Sequence, residues 1–183
     1  SRGNSLHFAL EACRQSVIDI AILTETCLQG FHTTNASGYE VIDTRAERAH
    51  CGGVAIVHRK SPGWHLEAEK CHGPNVVSAV LSSGYKKWMI VGAYIPPSRN
   101  INPILERIKE AVDQSRMPLI LLGDLNYRMS SDVDREIKIT SATATMGFSI
   151  NLADHFWLRK PYHNKTTWKL PARNLYRQCD YIL

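Results

Sequence analysis

The chain has 183 residues, enough for one domain with a substantial core. Hydrophobic residues make up 44% and charged residues 21%, which excludes a disordered chain, and no apolar run approaches the 18 residues or so of a membrane helix. The net charge of +5 is modest but uneven: residues 159–177 hold six basic side chains (Arg159, Lys160, Lys165, Lys169, Arg173, Arg177) and no acidic one.

In chain order, residues 5–16 place Leu6, Phe8, Ala9, Leu10, Ala12 and Cys13 largely at helical spacing, which predicts a helix capped by Asn4 or Ser5. Residues 17–24 (VIDIAILT) are β-branched and apolar, a buried strand ending at Glu25, and a short strand follows a polar loop at 39–43. Gly52-Gly53 introduces the strand VAIVHR with a tight entry. Residues 64–69, 75–82 and 86–95 read as further strands, the last closed by Pro96-Pro97, which cannot continue a ladder. Ile104, Leu105, Ile108, Ala111 and Val112 make 101–115 an amphipathic helix. The run LILLGDLN is then a strand and loop, 132–146 a helix, and 166–169 and 176–183 short strands. Strands outnumber helices, and hairpin-like strands mix with helices that cover them. That pattern predicts an α+β or α/β sandwich, two sheets with helices outside.

Five scattered cysteines (Cys13, Cys27, Cys51, Cys71, Cys179) form no CxxC pair, so a zinc site has little support. With no secretory apolar stretch, the expectation is a reduced intracellular protein without a membrane span. The basic segment supports two readings: a solvated face, or a phosphate-backbone footprint with Trp168 and Tyr176 for stacking.

Polar groups recur at strand ends. Glu25 follows ILT, Tyr94 ends GAY, and Asp124 and Asn126 end LLGDLN, two residues apart and so on one face if the strand continues. Gly123 leaves room there for a ligand or a neighbouring strand. Asp180 instead lies within the apolar run QCDYIL, where a buried carboxylate needs a partner or a function. Taken singly, Glu25 is a turn residue, Tyr94 a core tyrosine and Asp124-Leu125-Asn126 an Asx turn. Taken together, a carboxylate, a phenol, an Asp-x-Asn pair and a further Asp compose a candidate phosphoester site.

The ordered set TETCLQG, GGVAIV, GAYIPPS, GDLN, TTW and QCDYIL resembles the endonuclease/exonuclease/phosphatase superfamily over nearly the whole chain. Within it, the chain is most like the apurinic-like endonuclease domain of non-LTR retrotransposons. The resemblance implies a four-layer α/β sandwich of two mixed β-sheets flanked by helices, which cleaves phosphodiesters with Mg²⁺ or Mn²⁺. It implies Glu25 as metal ligand and Tyr94 as a hydrogen-bond donor to phosphate or leaving group. Asp124 would orient or deprotonate water, and Asn126 would fix that water or a phosphate oxygen. Thr167 and Trp168 would line the nucleic-acid groove, though a core-filling Trp168 is the equal alternative. DNA is the implied partner, with a reverse transcriptase domain in the same polyprotein and action in the nucleus.

In that family the partner of Asp180 is a histidine in a later Ser-Asp-His motif, and a strand bearing an Asn precedes the first helix. The sequence matches neither, so the expectation is a single truncated domain over 1–183 without its first and last strands, and with weak catalysis. Asp154-His155 lies before TTW and so in the wrong order for that motif. His50 and His72 lack ligand spacing and read as surface or loop residues. Two other functions stay open: a phosphatase or phosphodiesterase on small phosphoesters, and a non-catalytic nucleic-acid-binding remnant.

Overall fold

The computed structural model describes residues 2–28, 32–36, 38–44, 46, 52–61, 63–97, 100–126 and 133–147, and three short strands at 168–170, 175–177 and 180–182. Two sheets pack face to face with helices on both outer sides. The first contains β1 (Ile20–Thr24), β2 (His32–Ala36), β3 (Tyr39–Asp43) and β4 (Val54–Arg59), in the order β1-β4-β3-β2 with every described pairing antiparallel. Further along the chain come β5 (His65–Cys71), β6 (Val76–Ser83), β7 (Lys86–Tyr94) and β8 (Leu119–Asp124), then β9 (Trp168–Leu170), β10 (Leu175–Arg177) and β11 (Asp180–Ile182). The second sheet is mixed, ordered β11-β8-β7-β6-β5, with β7 and β8 parallel. Their connection is α2 (Asn102–Asp113), the kind of crossover a parallel pair needs.

Side chains alternate between the two faces of each strand, which sorts them into layers. Ile42, Val54, Ile56, Val77, Ala79, Leu81, Ile90 and Tyr94 form the core between the sheets. On the outer side of the second sheet, Val91, Ala93 and Leu121 meet Ile104, Leu105 and Ile108 of α2 and Ile139 of α3 (Val133–Thr145). On the outer side of the first, Tyr39, Val41, Ala55 and Val57 meet Leu10 and Cys13 of α1 (Arg2–Gln15). The result is helix, sheet, sheet, helix.

Several expectations shift in detail. The first helix begins at Arg2, ahead of the expected cap, and Phe8, counted with its apolar set, is 69% exposed. Leu6, Leu10 and Cys13, spaced i, i+4, i+7, carry the packing. The strand β2, too polar to announce itself, pairs with β3. The run 176–183 divides between two sheets: Tyr176 belongs to β10, which pairs with β9, whereas β11 pairs with β8. No described helix is long and apolar enough to cross a membrane.

Candidate active site

Three candidate residues meet through backbone register. Tyr94 pairs with Asp124 across the parallel β7–β8 ladder, and Asp180 pairs with the same Asp124 across the antiparallel β8–β11 ladder. With strands about 4.8 Å apart, the three form a row roughly 10 Å long at the C-terminal end of β8. Glu25 reaches this row from the other sheet, directly after β1, and its Oε1 accepts a hydrogen bond from the Tyr94 hydroxyl. The Tyr94 ring is 2% exposed within the inter-sheet core, so the phenol is both a core tyrosine and the link between the two sheets at this end.

Asp124 and Asn126 interlock with the end of β7. Asp124 Oδ1 accepts the Asn126 backbone N–H at 2.9 Å, which is an Asx turn. The Ile95 N–H donates to the Asp124 carbonyl at 2.9 Å, and Asn126 Nδ2 donates to the Ile95 carbonyl at 3.0 Å. The turn and the site therefore coexist. Strand alternation stops at Asp124, however, and Asn126 sits at φ 47°, so the turn rather than the strand period brings it beside Asp124. Glu25 has φ 55°. Left-handed backbone in non-glycine residues costs about 1–2 kcal/mol and clusters where structure over-determines geometry.

Gly123 makes room for a strand, not a ligand. A Cβ there would lie 1.8 Å from the Ala93 carbonyl oxygen, its register partner on β7. At φ 147° the position is also one that L side chains rarely adopt.

The backbone behind Glu25 is held from a direction the sequence did not signal. The Cys27 N–H donates to the Gly52 carbonyl at 2.9 Å and the Thr26 N–H to the Gly53 carbonyl at 3.4 Å. The Gly53 N–H in turn donates to Asn75 Oδ1 at 2.7 Å. Asn75 is fully buried at φ 71°, and its carbonyl accepts the Tyr94 N–H at 3.0 Å. A polar residue set between Pro74 and the apolar run Val76-Val77 was the available signal.

The other candidates are placed less fully. The strand β9 begins at Trp168 and β11 at Asp180, by backbone only, while Thr167, His50 and Asp154-His155 lie outside the described residues. His72 is in a loop but is not a surface residue. It is 8% exposed, its Nε2 lies 2.8 Å from Ser78 Oγ, and Arg107 of α2 straps its loop by donating to the Pro74 carbonyl at 2.9 Å. Burial, and then nearby Lys70, lower its pKa. Among the described residues no three His, Cys, Asp or Glu side chains gather as a metal cage. The exposed Glu25 carboxylate offers oxygen donors, the type that a hard divalent cation such as Mg²⁺ or Mn²⁺ takes.

A sequence profile described as the Endonuclease/Exonuclease/phosphatase family matches residues 4–183. Among solved structures, the chain is similar to the endonuclease domain of TRAS1, a telomere-specific non-LTR retrotransposon. The TM-score is 0.70 at 17% identity, over 95% of this chain and 75% of that one. A humanized D. rerio TDP2 with 14 mutations gives 0.62 at 16% identity, over 99% and 74%. The D. rerio TDP2 complexed with single-strand DNA product gives 0.56 at 16%, over 99% and 75%. No curated protein matches the chain. At these identities the structural likeness establishes the fold alone.

Proposed function

The chain belongs to the endonuclease/exonuclease/phosphatase family, and on that premise we propose that it hydrolyses phosphodiester bonds of DNA with the help of a divalent metal ion. The observation that carries this reading is the in-register row Tyr94–Asp124–Asp180, joined to Glu25 by the Tyr94 hydroxyl. Two acidic residues opposed on adjacent antiparallel strands are unfavourable by themselves. A cation bound beside them would offset that repulsion and attract a phosphodiester.

Glu25 would hold Mg²⁺ or Mn²⁺, and the ion, when bound, would polarise the phosphoryl oxygens. Asp124, fixed by its own turn, would orient or deprotonate the attacking water. Tyr94 would direct its hydroxyl to Glu25 or to a phosphate oxygen, and Asn126 would hold the near edge of the site. Most of the acceleration then comes from positioning and charge stabilisation. DNA as substrate is favoured over small phosphoesters by the basic, acid-free segment 159–177 with Trp168 and by the DNA product held by one structurally similar protein. A nuclear site of action and a reverse transcriptase domain in the same polypeptide extend the retrotransposon reading.

Plasmid nicking with Mg²⁺ tests the proposal, with Asp124→Ala as the blank. Duplex affinity should also fall steeply as salt rises, whereas a small-phosphoester enzyme would show no such slope. Duplex binding with no cleavage under any metal condition would favour the non-catalytic remnant.

A further inference from the structure

Glu25 lies on a loop, exposed and in a left-handed backbone conformation, yet its carboxylate must meet a phenol that belongs to the opposite sheet. A site that tolerates errors of only about 0.5 Å needs a second set of contacts to hold such a residue. The Gly52-Gly53 corner supplies them on one side through the Thr26 and Cys27 amides. Both glycines have left-handed φ, 86° and 89°. A Cβ on Gly53 would fall 2.5 Å from Thr26 Oγ1, and one on Gly52 the same distance from Asn75 Oδ1, so the corner is pressed against both neighbours.

We propose that Asn75 is a positioning residue for this site: its side chain anchors the Gly53 amide that holds the Glu25 loop, while its own carbonyl anchors Tyr94. The proposal rests on reading the cluster as a phosphoester site only for its consequence, not for its geometry. One residue thus sets the separation of the two groups joined by the inter-sheet hydrogen bond. The Gly53 N–H also fixes which way the amide of Asn75 faces. The nitrogen is left buried with no partner among the described residues, a cost the position bears in return for the oxygen that accepts the Gly53 N–H. Asn75 also tolerates φ 71°, as asparagine and aspartate do better than other non-glycine residues.

The test follows the Tyr94–Glu25 contact directly. Tyrosine labelled with ¹³C at the ζ carbon reports the hydroxyl's hydrogen bond, with Glu25→Ala giving the signal of the broken state. Mn²⁺ titration read by electron paramagnetic resonance reports the metal site. Asn75→Ala should move the Tyr94 signal toward the broken state and weaken Mn²⁺ binding about 10–100-fold, the usual scale for a residue that supports a ligand from behind. Asn75→Asp keeps an oxygen for the Gly53 N–H and should leave the Tyr94 signal in place. Thr44→Val removes another buried side-chain bond in the same region, to the Val54 N–H at 3.0 Å. It should lower the melting temperature without moving Tyr94.

An unmoved Tyr94 signal in folded Asn75→Ala, or the same movement in Thr44→Val, would overturn the proposal. Should Asn75→Ala not fold, Gly53→Ala leaves Asn75 intact but displaces the Thr26 side of the link, and a folded chain with Tyr94 unmoved overturns it equally. None of these readouts needs turnover. A chain that never cleaves DNA removes the functional reading alone, and intact cleavage in Asn75→Ala with Tyr94 unmoved removes the role of Asn75 alone.

Discussion

Gly123→Ala strikes the strand geometry on which the site depends. The added Cβ would lie 1.8 Å from the Ala93 carbonyl oxygen and 2.9 Å from its carbon. The obstacle is backbone, so β7 and β8 must part by about 1.2 Å before the methyl reaches a 3.0 Å contact. Strained backbone costs a non-glycine residue about 1–3 kcal/mol, and two weakened ladder bonds add about 1 kcal/mol each, roughly 3–5 kcal/mol in all. That is a large part of a total stability of about 5–15 kcal/mol. Urea unfolding measures it, with Gly92→Ala as the control. The three nearest atoms to a Cβ on Gly92 are side-chain atoms, of Val54, Ile22 and Val77, at 3.1–3.2 Å. These need give by only a few tenths of an ångström, at the lower end of the roughly 1–3 kcal/mol that overpacking costs. Since the Tyr94–Asp124 pair is one residue away, cleavage by any folded Gly123→Ala should fall on the order of 100-fold. Equal stability of Gly123→Ala and Gly92→Ala would refute the reasoning.

Tyr94→Phe keeps the buried ring and removes the donor to Glu25. Because that carboxylate is exposed and regains water, unfolding should cost only about 1 kcal/mol less, while nicking falls about 100-fold; a loss of stability without a loss of rate would contradict the assignment. Burial lowers the pKa values of His58 and His72 below the ordinary 6.5. The unfolded chain then binds their protons first, so their contribution is complete above about pH 6.5 and is lost as pH falls, by up to about 1.4 kcal/mol per pH unit each. Glu40, whose pKa burial raises, opposes this trend as pH falls toward its ordinary range. Thermal unfolding between about pH 7.5 and pH 5.5 should show a falling melting temperature, and a slope unchanged in His58→Gln would exclude that residue as a cause.

The layered fold was legible because β4 and β7, covered on both faces, read as continuous apolar runs, while the buried residues of α2 recur at helical spacing. The boundary between β10 and β11 was not, because one short apolar run serves two sheets and pairing, not composition, divides it. His72 lies in a loop, one of the two places expected of it, but its burial was not legible because nothing local reveals that α2 covers that loop. At the site, Glu25, Tyr94 and Asp124 could be singled out as polar groups ending apolar strands. Their mutual geometry depended on register and on one hydrogen bond between sheets, neither of which is a property of any single segment. Asn75 escaped for the same reason, since its partners lie 22 and 19 residues away in sequence.

The central claim is metal-dependent cleavage at the row ending β7 and β8, and nicking of supercoiled plasmid tests it most directly. Single-strand breaks should require Mg²⁺ or Mn²⁺, fall at least about 100-fold in Asp124→Asn, and need more metal in Glu25→Gln. Nicking that persists without metal, that is undiminished in Asp124→Asn, or that never exceeds that of a chain carrying both Glu25→Gln and Asp124→Asn would contradict it.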